Sequence, residues 1–178
     1  MKEILTLGAL KASGYTYTTI KQELRNNLIT KLKNGEKVFD GIYGFEDTVL
    51  PDLERAILSG HNILLLGLRG QAKTRIARLT VNLLNEYIPI VKGSELNEDP
   101  LHPLTNQTKQ LIKELGDDLP IEWLHRSDRF LEKLATPDVS IADLIGDIDP
   151  IKAANNKWSY ADERSIHFGL VPRSNRCI

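Results

Sequence analysis

The stretch HNILLLGLRGQAKTRIAR (61–78) constrains this chain more than any other. An almost unbroken apolar run, NILLLG (62–67), is closed by Gly67, and a second glycine, Gly70, precedes Lys73 and Thr74. A short continuous apolar run of this kind predicts a strand buried on both faces, as in a parallel sheet. Ile76, Leu79, Leu83 and Leu84 then recur at helical spacing and predict a helix that starts near Lys73. Strand, glycine loop, Lys-Thr and helix form the context in which a phosphate-binding loop works.

The full pattern of such a loop is G-x-x-x-x-G-K-[ST]. GLRGQAKT (67–74) keeps Gly67, Lys73 and Thr74, and Ala72 stands where the second glycine belongs. The loop needs backbone N–H groups aimed at the phosphates, a Lys that reaches the β- and γ-phosphates, and a hydroxyl for Mg²⁺. Gly67 supplies the sharp turn, and Gly70 sits at the tip, where a side chain would obstruct an approaching phosphate. Ala72 is expected at negative φ, where the chain turns into right-handed helix and Ala has the better helix propensity. The candidate nucleotide-binding residues are Gly67, Leu68, Arg69, Gly70, Gln71, Ala72, Lys73 and Thr74. Lys73 is also the candidate catalytic residue and Thr74 the candidate metal ligand.

The remaining organisation alternates helix and strand. Ile20, Leu24, Leu28 and Leu32 predict a helix over 18–34, with Thr19 and Gln22 as a capping box and Gly35 as a stop. Val49, Leu53, Ala56 and Ile57 share a face of a second helix, ended by Gly60. YIPIVKG (87–93) reads as the next strand. A helix over 106–115 is expected between a Thr105 cap and a Gly116 stop. Residues 121–137 fit strand or helix equally, and VSIADLIGDIDP (139–150) ends in a turn. The C-terminal HFGLVPRSNRCI reads as a chain cut just as a strand begins.

The chain has 178 residues with 26% charged and 41% hydrophobic side chains, which fits one globular domain. A net charge of −1 gives no electrostatic case for nucleic acid or a membrane surface. The single cysteine, Cys177, excludes an internal disulfide, and no Cys/His spacing suits zinc. No apolar run approaches the roughly 20 residues of a membrane span. Glu3 interrupts the short apolar N-terminus, which argues against a signal peptide and makes the cytoplasm the expected compartment. Asp143, Asp147 and Asp149 lack the Gly and Glu positions of a calcium loop and read as turn and cap residues. His61, His102, His125 and His167 are scattered, and Cys177 reads as a core residue.

Five ordered blocks carry a resemblance. GIYGFEDTVLPDLERAIL (41–58) looks like the glycine block that precedes the first strand in the AAA+ ATPases of the magnesium chelatase and MoxR group. HNILLLGLRGQAKTRIAR resembles their Walker A region, in which G-x-x-G-x-A-K-T is common in the MoxR branch. VKGSELNEDPLHP (91–103) is similar to a chelatase I-subunit block, without its cysteines. LATPDVSIADLIGDIDPIKAA (134–154) and GLVPRSNRCI (169–178) are similar to the group's later blocks, the last of which enters the Walker B strand.

The resemblance covers roughly residues 40–178 and implies an α/β fold: the N-terminal part of a P-loop NTPase (AAA+), with a parallel sheet flanked by helices. It implies a partial nucleotide-binding domain over 41–178, lacking its C-terminal half and Walker B, and leaves residues 1–40, with the helix pattern over 18–34, as an N-terminal helical extension. It also implies that Tyr43 and Gly44 line the adenine, that ATP and Mg²⁺ are the cofactors, and that the whole protein is an ATPase working as a homo-oligomeric ring. Such rings remodel partner proteins or serve metal insertion, with chelatase or von Willebrand-type subunits as partners and no direct nucleic-acid contact. In such rings Arg164, Arg173 and Arg176 would form a subunit contact; the alternative for them is solvated surface or local ion pairs. The piece alone is expected not to hydrolyse ATP and to be poorly soluble. Three alternatives stay open: a MoxR-type chaperone ATPase, a nucleotide-sensing module without turnover, and a small-molecule kinase.

Overall fold

The computed structural model describes residues 4–151 and 162–178. Its contacts separate two compact units, here called the sheet unit (Met1–Tyr17, Ile88–Leu124 and Leu131–Cys177) and the loop unit (Thr18–Tyr87, His125–Phe130 and Ile178).

The loop unit is built on helices. α2 (Ile20–Lys33) starts at Thr19, whose hydroxyl accepts from the Gln22 N–H while the Gln22 side chain accepts from the Thr19 N–H. This is the capping box anticipated from the sequence, and it satisfies two backbone donors at the helix start. α3 (Val49–Leu58) and α4 (Lys73–Leu79) follow, and α4 tightens into a 3-10 turn over Thr80–Leu83. Leu28, Val38, Phe39, Ile42, Leu53, Ile57, Ile76 and Leu83 form one buried cluster, so all three helices contribute to a single core.

That core contains a buried ion pair. Arg129 donates from both terminal nitrogens to the two carboxylate oxygens of Glu23, each at 2.7 Å. Glu23 also accepts from the Asn85 N–H at 2.7 Å. Burial of both charges is tolerable because the fork geometry satisfies them together.

The sheet unit opens with α1 (Leu7–Ala12), capped by Thr6. β1 (Tyr87–Val91) pairs with β2 (Ile121–His125). The Lys92 N–H donates to Pro120 and the Arg126 N–H donates to Glu86, so residue numbers rise along one strand as they fall along the other. The pair is therefore antiparallel. α5 (Asn106–Leu115) runs from a Thr105 cap to Gly116, as the sequence predicts. α6 (Ile141–Ile145) leads into β3 (Gly146–Ile148), which pairs antiparallel with β4 (Ile166–Phe168). α7 (Leu170–Arg173) follows. Gly146 has φ +113°, and a Cβ there would clash with the His167 carbonyl oxygen, so this end of the strand pair needs glycine.

The expected fold class is overturned. Among the described residues the sheets are two antiparallel pairs, and neither is the parallel sheet of a P-loop NTPase. The run 62–67, expected as a buried strand, has no regular secondary structure, and no described strand pairs with it. Leu64 and Leu66 are 80% and 82% exposed, and only Leu65 packs against the core. An apolar run records a tendency to leave water. The partner that would bury it must come from elsewhere in the chain, and no described element does so here.

The C-terminal segment, expected to begin a strand, instead forms α7 and a turn. Residues 152–154 of the fourth block, and Glu3, lie outside the described residues.

Candidate functional site

Gly67 to Thr74 all belong to the loop unit, on the segment that enters α4. Gly67 and Gly70 have φ of +155° and +82°. Ala72 has φ +52° and ψ +13°, which corrects the negative φ expected for it. Only Gly67, Gly70 and Ala72 in this stretch take positive φ, so φ alternates in sign from Arg69 through Gly70, Gln71 and Ala72 to Lys73. Of these residues Ala72 lies in the left-handed helical region, and where such residues alternate with right-handed ones successive N–H groups turn toward a common side, an anion-binding arrangement called a nest. Ala72 also packs its methyl on the core cluster.

Side chains complete the loop. Lys73 Nζ donates to the carbonyls of Gly67 at 2.9 Å and Leu68 at 2.5 Å, so the ammonium folds back across the turn. A Cβ on Gly67 would collide with Gln71 Oε1, whereas one on Gly70 would meet open space. The Gln71 oxygen ends a flexible side chain and can move aside, so at 67, as at 70, it is the positive φ that favours glycine. Leu68, Arg69, Gly70, Gln71 and Thr74 are exposed. The arrangement can present one cation, one hydroxyl and a set of backbone donors to an oxyanion.

Tyr43 and Gly44 lie in the same unit. Ile42, next to them, is buried in one cluster with Ile76, and Tyr43 is 76% exposed. Gly44 has φ +81°.

An open cleft of about 690 Å³ lies beside α4, lined by residues that include Thr74, Arg78, Asn82 and Phe130. The sequence offered a partial signal for it, since Thr74 and Arg78 are four apart on a helix. Phe130 arrives from 56 positions after Thr74, and nothing local announces it.

Other candidates resolve into structural roles. Arg176 is buried; it bonds Asp99 and Tyr15 at 3.1 Å and the Pro89 carbonyl at 2.7 Å. Burial, and then the hydrogen bond to Asp99, hold the Tyr15 phenol well above its ordinary range. Arg164 bonds Asp162, whose carboxyl is pulled down to about 2 by hydrogen bonds from the Arg164 side chain and N–H. For both arginines the structure shows local ion pairs. Asp143 closes a capping box with Ser140, and Asp147 and Asp149 accept from nearby backbone N–H groups. Among the described residues no group of three or more His, Cys, Asp or Glu could hold a metal ion. His102 stacks on Tyr17, and His125 bonds Ser127. Cys177 is half-buried beside Asn97.

Sequence reasoning missed Glu98. Its buried carboxylate accepts from the N–H groups of Leu104 and Thr105 and the hydroxyls of Ser94, Thr105 and Thr108. Burial alone would raise its carboxyl, but these donors, Thr108 foremost, outweigh it and hold it below the ordinary range.

No protein-family model, curated protein or solved structure matches the chain. Among the described residues no helix is long and apolar enough to cross a membrane.

Proposed function

We propose that the chain is the ATP-binding portion of an ATPase similar in sequence to the magnesium chelatase and MoxR group. The observation that carries this reading is the alternating φ from Arg69 to Lys73, set beside the Lys73 ammonium and the exposed Thr74. The turn at Gly70 and Ala72 supplies N–H donors for phosphate oxygens, and Lys73 supplies the positive charge. Gly70 leaves the approach open. With nucleotide bound, Lys73 would exchange its two carbonyl partners for the β- and γ-phosphates, and Thr74 would hold Mg²⁺ through its hydroxyl. The proposal concerns this loop and its chemistry and needs no parallel sheet.

Phosphoryl transfer is largely positioning and charge stabilisation, and the loop contributes the positioning share. In the whole protein, ATP hydrolysis within a homo-oligomeric ring would drive remodelling of a partner protein or metal insertion by partner subunits. Ala72 in the glycine position favours the MoxR-type chaperone over a dedicated chelatase, because that branch resembles the loop most.

Displacement of a fluorescent ATP analogue tests the reading. ATP and ADP should compete, and AMP, which lacks the β- and γ-phosphates, should compete at least roughly tenfold less well. Equal competition by AMP would show that the loop does not read a polyphosphate.

A further inference from the structure

We propose that the nucleobase of the bound nucleotide enters the cleft beside α4 and stacks on Phe130. This rests on the phosphate-loop reading and adds where the other end of the ligand goes. The cleft is about 690 Å³, within the range of small-molecule sites. Thr74 belongs to both the loop and the cleft lining, so the cleft begins where the phosphate cradle ends. Thr74 and Arg78 share one face of α4, and the 3-10 turn then carries Val81 and Asn82 into the same lining.

The lining suits a base. Phe130 offers an aromatic face, and aromatic stacking tolerates any nucleobase because every base has a π-face. Leu79 and Val81 are apolar walls. The Asn82 amide both donates and accepts, which matches the edge of a base. Phe130 is also well placed to act as a platform: it follows Arg129, which is locked to Glu23 of α2 by two hydrogen bonds. A surface fixed in this way loses little freedom on binding. Arg75 also lines the cleft. A Cβ on Gly41 would come within 2.5 Å of its Nη2, so the guanidinium lies over Gly41, two residues before Tyr43. Tyr43 and Gly44, which the resemblance assigns to the adenine, are the competing location.

Two measurements on the full chain decide between them. The first is photolabelling with Mg·2-azido-ATP and peptide mapping. Label on the peptides carrying Asn82 or Phe130 supports the proposal, and label on the peptide carrying Tyr43 overturns it. The second compares ATP with inorganic tripolyphosphate, both with Mg²⁺. Wild type should prefer ATP, and Phe130→Ala should weaken ATP roughly tenfold while leaving tripolyphosphate unchanged. Phe130→Trp should restore ATP binding. Equal affinity of wild type for both ligands, or equal loss of both in Phe130→Ala, overturns the base site and leaves the phosphate loop standing. If wild type binds neither ligand, the phosphate-loop reading falls and the base site with it.

Discussion

Ala72 holds a left-handed backbone in which its Cβ crowds the following carbonyl, at a cost of roughly 1–2 kcal/mol. Such strain persists where surrounding structure enforces it, and it clusters at ligand sites. A β-branched side chain tolerates this region still less. Ala72→Val should therefore lower stability by about 2 kcal/mol in urea unfolding, whereas Ala72→Gly should not lower it. Glu98 gives a second prediction at this scale. Its folded pKa is depressed, so its contribution is present above the ordinary carboxylate pKa and is lost as pH falls through the folded value. Glu98→Gln should cost ~2 kcal/mol at neutral pH. The gap between the two proteins should close in acid, once wild-type Glu98 is also protonated. Urea midpoints from pH 7 down to pH 3 would show it, and a gap independent of pH would contradict the charged hydrogen-bond network.

Elements bounded by local chemistry were readable in advance. Thr19 and Gln22 announce α2, and Thr105 and Gly116 bracket α5, because caps act within four residues of the helix end. Thr19→Ala should cost ~1 kcal/mol, measured by thermal melting. The features that escaped the sequence depend on partners far along the chain. Neither Glu23 nor Arg129 advertises that it will be buried, yet they meet across 106 positions. Glu23→Ala should destabilise by about 3–5 kcal/mol because it takes the paired carboxylate away from a buried guanidinium. A Glu23→Met, Arg129→Met pair should recover most of that loss, and no recovery would show that the charges are held by more than each other. The left-handed turn at Ala72 escaped for a different reason: propensity describes alanine in general, and here the loop's closure overrides it.

For the whole chain, the antiparallel β1–β2 pair shows where the reading of the sequence failed. The apolar run YIPIV gives a strand in its expected place, but direction is fixed by what the strand meets, and it meets β2. The run 62–67 meets no described strand and leaves Leu64 and Leu66, with Leu68 just after it, about 80% exposed. An exposed apolar stretch of this kind favours self-association. Leu64→Ser with Leu66→Ser should reduce light scattering of the concentrated chain without lowering its melting temperature, since neither side chain is in the core. A lowered melting temperature would mean that these leucines are packed in solution. In the loop, Gly67 and Gly70 turn the chain at positive φ because that geometry is local to the sequence, whereas Ala72 departs from the φ expected of it. The most direct test of the account is calorimetric titration of Mg·ATP into wild type and Lys73→Ala, with melting curves to check that both are folded. The account predicts saturable binding by wild type and at least roughly tenfold weaker binding by the variant. Equal affinity for both proteins, or no binding by a folded wild type, would contradict it.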